Sequence, residues 1–271
     1  MNTITLKDNQ SDHFQLITYP DGQHNIILDM TKLNKKELVT INCRIKNFAE
    51  LEVLLCLGAA LHKNDFHYEI FFAYLFGIRD DRGFCEGQPN YFRDVVAKIL
   101  ITTKALDISV LWPFSPLSIR AYGRMISHQT STKNLWSKFS DLAENKIIIA
   151  GDKSAREFMD AFDDYPYFEK KRINGIIDID MDDKTIDEIE KQAALGKEIL
   201  IVDDLCDGGA TFIEEAKGLK SIIPDAKLSL FVCHGLFTKG IDVLLEHFEH
   251  IYCTNSYQDI NHQRVTQFEV I

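Results

Sequence analysis

The sequence predicts an α/β fold made of mainly parallel sheets flanked by helices. Short apolar runs alternate along the chain with segments of helical periodicity, and this alternation is typical of parallel sheets with helical crossovers. In the segment 198–211, an apolar run is followed by a turn with two glycines and then by the start of a helical pattern. Ligands bind at the carboxyl ends of strands in such sheets, so this segment also marks a candidate site.

The individual elements follow from local patterns. Strands are predicted where short runs of β-branched, aromatic or other apolar residues stand together, at 15–19, 26–29, 39–43, 68–75, 108–111, 146–150, 199–203, 228–233 and 251–254. Helices are predicted where apolar residues recur at helical spacing, at 48–62, 91–106, 132–144, 154–162, 186–195, 211–222 and 240–247. The acidic run 178–183 is expected to lead into a helix, with Asp182 or Asp183 near its N-terminus.

The length of the chain and one helix-to-strand transition predict its domain organisation. A chain of 271 residues suits one large domain or two of ordinary size. The predicted helix 132–144 and the strand that follows it mark a changeover between two α/β halves, which gives domains 1–144 and 145–271. No linker rich in Pro, Gly or Ser separates them, so we expect the halves to pack closely.

Composition excludes some classes of partner. The formal net charge of −11 argues against nucleic acid polymers, because non-specific binding to them relies on basic surface. It does not argue against nucleotides, for which a few Arg or Lys residues suffice. The six cysteines include no Cys-x-x-Cys pair, and there is no leader or membrane-length apolar run. We therefore expect a reduced, cytoplasmic compartment and no membrane partner.

The segment 198–211 carries the most specific chemistry. Its apolar run is suited to a strand buried on both faces, and Asp203 and Asp204 follow where that strand is expected to end. These acids would accept hydrogen bonds from ribose hydroxyls. Backbone N–H groups in the turn can ring a phosphate at the start of the helix, where the dipole also favours an anion. The residues concerned are Asp207, Gly208, Gly209, Ala210 and Thr211.

This segment resembles the ribose-5-phosphate-binding signature of the type I phosphoribosyltransferase fold: an apolar run, Asp-Asp, four residues, then Gly and Thr. The resemblance implies two packed phosphoribosyltransferase-like domains, with the ribose phosphate bound at Asp207–Thr211 in the second. The alternative is any strand-turn-helix with acidic residues in its loop. A P-loop is excluded, because no Gly-x-x-x-x-Gly-Lys-Ser/Thr occurs in the chain.

A second resemblance covers residues 76–82. Phe76-Gly77-Ile78-Arg79-Asp80-Asp81-Arg82 is similar to the Phe-Gly-Tyr-Ala-Arg-Gln-Asp-Arg stretch of ribose-phosphate diphosphokinases, whose arginine helps to bind ATP. It implies that Arg79, Asp80, Asp81 and Arg82 belong to an ATP site, although Asp80 stands where that family usually has glutamine. The alternative is a surface turn of Arg–Asp ion pairs.

Two further segments match the same family in chain order. The turn 19–23 is similar to a Phe-x-Asp-Gly-Glu turn that contacts adenine across a subunit interface. The match implies that Asp21 and Gln23 bind ATP, with Gln23 replacing the glutamate, and that the chain forms a dimer or larger homo-oligomer. Lys170-Lys171-Arg172 resembles a mobile catalytic loop with Lys-x-Arg, in which Lys170 and Arg172 neutralise transferred charge. Alone, these residues would be an ordinary basic surface patch.

The remaining matches are weaker, and one region departs from the family. The segments 151–156, 234–240 and 254–256 resemble a loop on the pyrophosphate side and two fold-defining turns. The family has an Asp-Leu-His turn at its ATP–magnesium site, but here the corresponding region contains Trp112-Pro113-Phe114. That turn is either a packed corner or a reshaped pocket that stacks a flat group.

The resemblance implies an enzyme that uses Mg²⁺ and ATP. The catalytic residues would be Lys170, Arg172, Asp203 and Asp204, with the two acids also holding the metal. It would transfer diphosphate from ATP to the C1 hydroxyl of ribose 5-phosphate or of a larger acceptor such as ADP-ribose, in a pyridine-nucleotide salvage route. A phosphoribosyltransferase and a non-catalytic regulatory homologue remain the alternatives.

Overall fold

A computed structural model describes residues 2–80, 85–113, 140–159, 165–173, 176–180 and 183–271. The chain divides into two compact units, Met1–Ser131 with Ile271, and Thr132–Val270. Each unit contains a parallel sheet accompanied by helices, so the predicted α/β fold class is confirmed. The exact boundary after residue 144 stays a prediction.

The N-terminal unit contains a four-stranded parallel sheet in the order β1-β4-β5-β6. A separate antiparallel hairpin, β2–β3, precedes β4 in the chain. The strands are β1 Thr3–Leu6, β2 Phe14–Thr18, β3 His24–Leu28, β4 Val39–Ile45, β5 Tyr68–Leu75 and β6 Ile108–Val110. The longest helix among the described residues, α1 Phe48–Lys63, connects β4 to β5 as a crossover and packs against β3.

Burial explains why this sheet forms. Alternate residues of β4, Val39, Ile41 and Cys43, are fully buried, as expected for β-branched and small apolar side chains on a covered sheet face. Leu54 and Leu61 of α1 are also fully buried and belong to the same core. Removing these side chains from water is the main favourable contribution to the stability of the unit.

The predicted helix 91–106 is a composite rather than one continuous α-helix. It contains a π-helical segment, Phe92–Val96, a short helix α2, Ala97–Leu100, and a 3₁₀ turn, Ile101–Thr103. Its buried residues face the same core, so apolar spacing located the segment correctly. Lys104, with a φ of 59°, ends it.

The C-terminal unit contains a five-stranded parallel sheet in the order β13-β12-β11-β10-β7. A two-stranded antiparallel hairpin, β8–β9, is separate from it. The strands are β7 Lys146–Ala150, β8 Glu169–Ile173, β9 Ile176–Asp180, β10 Glu198–Cys206, β11 Leu228–Gly235, β12 His250–Thr254 and β13 Val265–Phe268. The helices are α3 Ser140–Ala143, α4 Lys153–Met159, α5 Asp183–Ala194, α6 Ala210–Ile222 and α7 Asp242–Leu245.

The differences from the predicted elements concern short or polar strands. Three strand pairs were missed: β1 against β4, β8 against β9, and β13 against β12. These strands have little apolar periodicity, and their partner strands supply the stabilising hydrogen bonds. Helix α5 begins at Asp183, as the acidic run predicted, although the first part of that run belongs to β9.

The Trp112-Pro113 corner is buried. The Trp112 side chain is 0% exposed and its φ is 35°, which is an uncommon conformation for a bulky residue. A fully buried indole has no free face, so of the two alternatives the structure supports the packed corner. Phe114 lies outside the described residues.

No described helix combines the length and the hydropathy needed to span a bilayer.

The N-terminus of α1 provides a direct test of this fold. Asn47 Oδ1 accepts a hydrogen bond from the backbone N–H of Glu50 at 3.0 Å, satisfying one of the helix's unpaired donors. We expect Asn47→Ala to lower the free energy of unfolding by about 1 kcal/mol, measured by urea denaturation. Asn47→Ser retains an acceptor and should stay close to wild type. Equal losses in both variants would contradict this role of the cap.

Candidate active site

The two acids of the 198–211 segment lie within a strand rather than after it. Strand β10 continues to Cys206 because β11 continues beside it, with Leu205 opposite His234 and Cys206 opposite Gly235. Asp203 is only 6% exposed. The expectation that both acids follow the end of the strand was therefore wrong, since pairing to β11 extends the strand past its apolar run.

Asp203 packs against the end of β7. Its Oδ1 accepts a hydrogen bond from the backbone N–H of Asp204 at 2.8 Å. A Cβ atom built on Gly151 would stand 2.3 Å from Asp203 Oδ2, so only glycine leaves room for the carboxylate there. The N–H of Gly151 donates to the carbonyl of Val202 at 2.8 Å, which aligns the two strand ends.

Asp204 lies in an unfavourable environment for a charge. Burial raises the pKa of its carboxyl well above the ordinary value, and the nearby carboxylates of Asp203 and Asp152 raise that pKa further. Carboxylates this close can lower their mutual repulsion by binding a proton, a cation or hydroxyl donors. The arrangement is therefore suited to a ligand that supplies such groups.

Asp152 has a structural role in addition to its charge. Its Oδ1 accepts a hydrogen bond from the backbone N–H of Ala155 at 2.8 Å, and its carbonyl accepts from the N–H of Arg156 at 3.1 Å. These bonds hold the turn between β7 and α4. The turn follows the strand end next to Asp203, as the sequence predicted for the segment 151–156, and its role on the pyrophosphate side stays a prediction.

The predicted phosphate-binding residues form the junction between β10 and α6. Gly209 has a φ of 81°, a conformation that favours glycine. Across the described part of the chain, no acceptor pairs with the backbone N–H groups of residues 208–212. The first N–H groups of any helix point outward from its positive end. Five consecutive unpaired donors there are chemically suited to an anion, and a role in phosphate binding stays a prediction.

A second loop fixes the shape of this junction. The N–H groups of Leu236 and Phe237 donate to the carbonyl of Cys206 at 2.9 and 3.2 Å. Thr238 donates to Asp207 twice, through its N–H to the carbonyl at 2.9 Å and through its hydroxyl to Oδ1 at 2.7 Å. Asp207 therefore shapes the loop with its side chain, while the amides after it remain available to a ligand.

The other predicted turns support this second loop. His234 Nδ1 and Ser256 Oγ are hydrogen-bonded at 2.9 Å, and both residues are buried. Thr254 Oγ1 donates to the carbonyl of Cys233 at 2.6 Å. These contacts connect the ends of β11 and β12, in agreement with the prediction that both segments are fold-defining turns.

The predicted ATP residues lie in the N-terminal unit, where the structure describes four of the six. Asp21 and Gln23 are exposed in the β2–β3 turn, and Asp21 Oδ1 accepts from the N–H of Gln23 at 3.2 Å. Arg79 is exposed in the turn after β5, and the carbonyl of Asp80 accepts from the N–H of Phe92 at 3.0 Å. Their roles in ATP binding stay predictions. Asp81 and Arg82 lie outside the described residues.

The predicted catalytic cations lie in a hairpin rather than in a loop. Lys170 and Arg172 belong to β8, opposite Ile179 and Ile177 of β9. The sequence 169–173 is polar, which favoured a loop, but pairing with the more apolar β9 makes it a strand. The structure describes the backbone here, so a catalytic role for either side chain stays a prediction.

Two side chains beside the acid pair and the glycine turn could not be singled out from the sequence, namely Asp152 and Lys239. Asp152 lies near Asp204 only because β7 and β10 are neighbouring strands. The sequence places Lys239 in the turn 234–240, and in the structure its side chain lies over Gly208. That contact depends on the hydrogen bonds that bring this turn next to Asp207, which the sequence does not reveal.

The C-terminal unit thus combines a parallel sheet, an acid pair on one strand and a glycine turn leading into a helix. These features define a protein of the type I phosphoribosyltransferase fold. In agreement, the crystal structure of phosphoribosylpyrophosphate synthetase from Mycobacterium smegmatis superimposes with a TM-score of 0.72, at 15% sequence identity, over 100% of this chain and 95% of that one.

Sequence relatives point in the same direction as the fold. The ribose-phosphate pyrophosphokinase of Pyrococcus furiosus is 28% identical over 245 residues, which is 88% of this chain and 84% of the relative. The enzyme of the same name from Sulfurisphaera tokodaii is 25% identical over 227 residues, 79% of this chain and 75% of the relative. No family model matches the chain. These similarities support a diverged member of the ribose-phosphate pyrophosphokinase family, and the names of the relatives support a transferase.

The raised pKa of Asp204 gives a pH-dependent prediction. Its carboxyl holds a proton more tightly in the folded than in the unfolded chain, where the pKa is about 3.9. The free energy of unfolding should therefore fall as the pH rises from about 4 through the raised pKa. We expect Asp204→Asn to flatten this fall and to raise the Tm at neutral pH, by about 2–4 °C for each kcal/mol gained.

Thermal unfolding between pH 4 and pH 8 measures this effect. Asp187→Asn, which removes an exposed carboxylate from α5, is the matched control and should leave the pH dependence of wild type unchanged. If Asp204→Asn and wild type lose stability in parallel, the proposed crowding of carboxylates is wrong.

Proposed function

We propose that the protein transfers the β,γ-diphosphate of ATP to the C1 hydroxyl of a 5-phosphoribose unit and releases AMP. The names of the sequence relatives support this activity, with ribose 5-phosphate as the acceptor. The observation that carries the proposal is the row of unpaired amides at residues 208–212, directly after a strand that bears an acid pair.

The C-terminal site accounts for both ends of the acceptor. The unpaired amides of Gly209, Ala210 and Thr211 would hold the 5-phosphate, since main-chain donors and the positive end of α6 both favour an anion. The ribose hydroxyls would donate to Asp203 and Asp204, whose repulsion they would relieve. A rigid sugar bound at both ends presents its C1 hydroxyl in one orientation, and such positioning supplies much of the catalysis in group transfer.

Mg²⁺ fits this site only together with substrate. Asp203 and Asp204 supply carboxylate oxygens, which are the ligands that Mg²⁺ prefers. Across the described residues, however, no group of three or more His, Cys, Asp or Glu side chains is arranged around one point. The acids would therefore hold the ion with help from substrate oxygens and water, as is usual for Mg²⁺ in phosphoryl transfer. Bound Mg²⁺ would neutralise charge on the transferred diphosphate.

The remaining roles follow the family resemblance. Arg79 and Arg82, with Asp80, Asp81, Asp21 and Gln23, would bind the nucleotide. Lys170 and Arg172 would stabilise the negative charge that develops on the diphosphate. Because the turn that carries Asp21 contacts adenine across a subunit interface in the resembling family, we also propose a homo-oligomer.

The acceptor is either ribose 5-phosphate or a larger molecule with the same sugar-phosphate end, such as ADP-ribose. Divergence at Gln23, Asp80 and Trp112 supports a changed acceptor. The burial of Trp112 removes one argument for it, because a packed indole cannot stack on a ligand. The shared chemistry is the 5-phosphoribose end, and a route of pyridine-nucleotide salvage would use the larger acceptor.

AMP release tests the proposal. Incubation with ATP, Mg²⁺ and either acceptor should produce AMP and a ribose diphosphorylated at C1, detected by chromatography and ³¹P NMR. We expect Asp203→Asn to lower kcat by about 10²-fold or more, the loss typical of removing one electrostatic contact to a transition state. Asp187→Asn should retain activity.

Two other outcomes have distinct signatures. Absence of AMP with both acceptors, combined with joining of a base to phosphoribosyl diphosphate, would indicate a phosphoribosyltransferase. Binding of ATP or of ribose 5-phosphate without any turnover would indicate a regulatory homologue. Either result overturns the proposed diphosphotransfer.

A further inference from the structure

The side chain of Lys239 lies across the predicted phosphate-binding loop. A Cβ atom built on Gly208 would stand 3.3 Å from both Cδ and Cε of Lys239 and 3.4 Å from its Cγ. The Lys239 ammonium is one bond beyond Cε. The lysine stem therefore lies against Gly208, the first residue of the row of unpaired amides, and carries a positive charge near it.

Gly208 provides the room for this contact. Unlike Gly209, it does not have a positive φ, so the backbone at residue 208 has no need of glycine. What a larger residue would change is the space that the Lys239 stem occupies. A side chain at residue 208 would come into contact with the Lys239 stem, and glycine leaves that space to the lysine.

The backbone that carries Lys239 is fixed on both sides. Thr238 makes two hydrogen bonds to Asp207, and the N–H of Gly240 donates to the carbonyl of Phe237 at 2.8 Å. Gly240 has a φ of 82°, which closes the turn. The fold thus sets the position of the Lys239 backbone beside the loop that contains Gly208.

The ammonium group itself is available. Lys239 is exposed, and within the described ranges its side chain makes no hydrogen bond and no ion pair. Three carboxylate-bearing residues, Asp203, Asp204 and Asp207, precede the amides on the same segment, so the local charge without Lys239 is unfavourable for an anion. A cation beside the amides offsets that charge, and lysine is well suited to contact phosphate as a point charge.

We propose that Lys239 binds the 5-phosphate of the acceptor and selects phosphorylated over unphosphorylated ribose. This inference rests on the proposed function, because it assigns a further residue to the same acceptor site. The amides would provide directional hydrogen bonds, and Lys239 would add the full charge that neutral donors lack. The chemistry is common to ribose 5-phosphate and to a larger acceptor that ends in the same group.

The test compares Lys239→Gln with wild type in the AMP-release assay. We expect KM for ribose 5-phosphate to rise about tenfold, the effect of losing one charge-assisted hydrogen bond. The kcat and the KM for ATP should stay unchanged, because Lys239 would contact neither the reacting atoms nor the nucleotide. Lys239→Arg, which keeps the charge, should recover most of the loss.

Two controls separate binding of phosphate from general effects of charge. Lys217→Gln removes an exposed lysine from the outer face of α6, where it pairs with Glu214, and should leave KM for the acceptor unchanged. With unphosphorylated ribose as acceptor, wild type and Lys239→Gln should be equally poor. An unchanged KM for ribose 5-phosphate in Lys239→Gln overturns the inference, as does an equal loss with ribose.

Calorimetry keeps this inference distinct from the proposed function. If wild type released no AMP with any acceptor, the diphosphotransfer would fail, but titration of ribose 5-phosphate into wild type and Lys239→Gln would still test the contact. About tenfold weaker binding in the variant supports it, as expected for a lost charged contact. Equal affinities, or no binding by the correctly folded wild type, overturn it.

Discussion

The amides of residues 208–212 have no hydrogen-bond acceptor within the described part of the protein. Buried or partly buried N–H groups without partners are costly, and a helix cannot satisfy its own first donors. Thr238 holds the loop through its bonds to Asp207, and Gly209 stands where a side chain would collide with Leu244. The proposed function assigns these amides to the phosphate of the acceptor.

The acid pair before the loop favours hydroxyl donors or a cation, whereas the amides favour an anion. Asp203 is packed against Gly151, and Asp204 has a raised pKa because burial and two carboxylates oppose its ionisation. Hydroxyl donors or a cation would relieve that strain, while a phosphate could not. A ligand with hydroxyls at one end and phosphate at the other satisfies both requirements, and a 5-phosphoribose unit has that arrangement.

The sequence alone predicted the fold class and the position of the glycine turn between a strand and a helix, because apolar runs and glycines are local features. It did not predict how far β10 extends, because Cys206 pairs with Gly235, which lies 29 residues further along the sequence. Likewise, Lys170 and Arg172 belong to a hairpin only because β9 pairs with β8. The contact of Lys239 with Gly208 required tertiary structure for the same reason.

A crystal structure with ribose 5-phosphate bound tests the central claim most directly. The account predicts phosphate oxygens within hydrogen-bonding distance, about 2.7–3.2 Å, of the backbone nitrogens of Gly209, Ala210 and Thr211, with the sugar hydroxyls toward Asp203 and Asp204. A bound sugar whose phosphate lies elsewhere, while these amides contact only water, would contradict it.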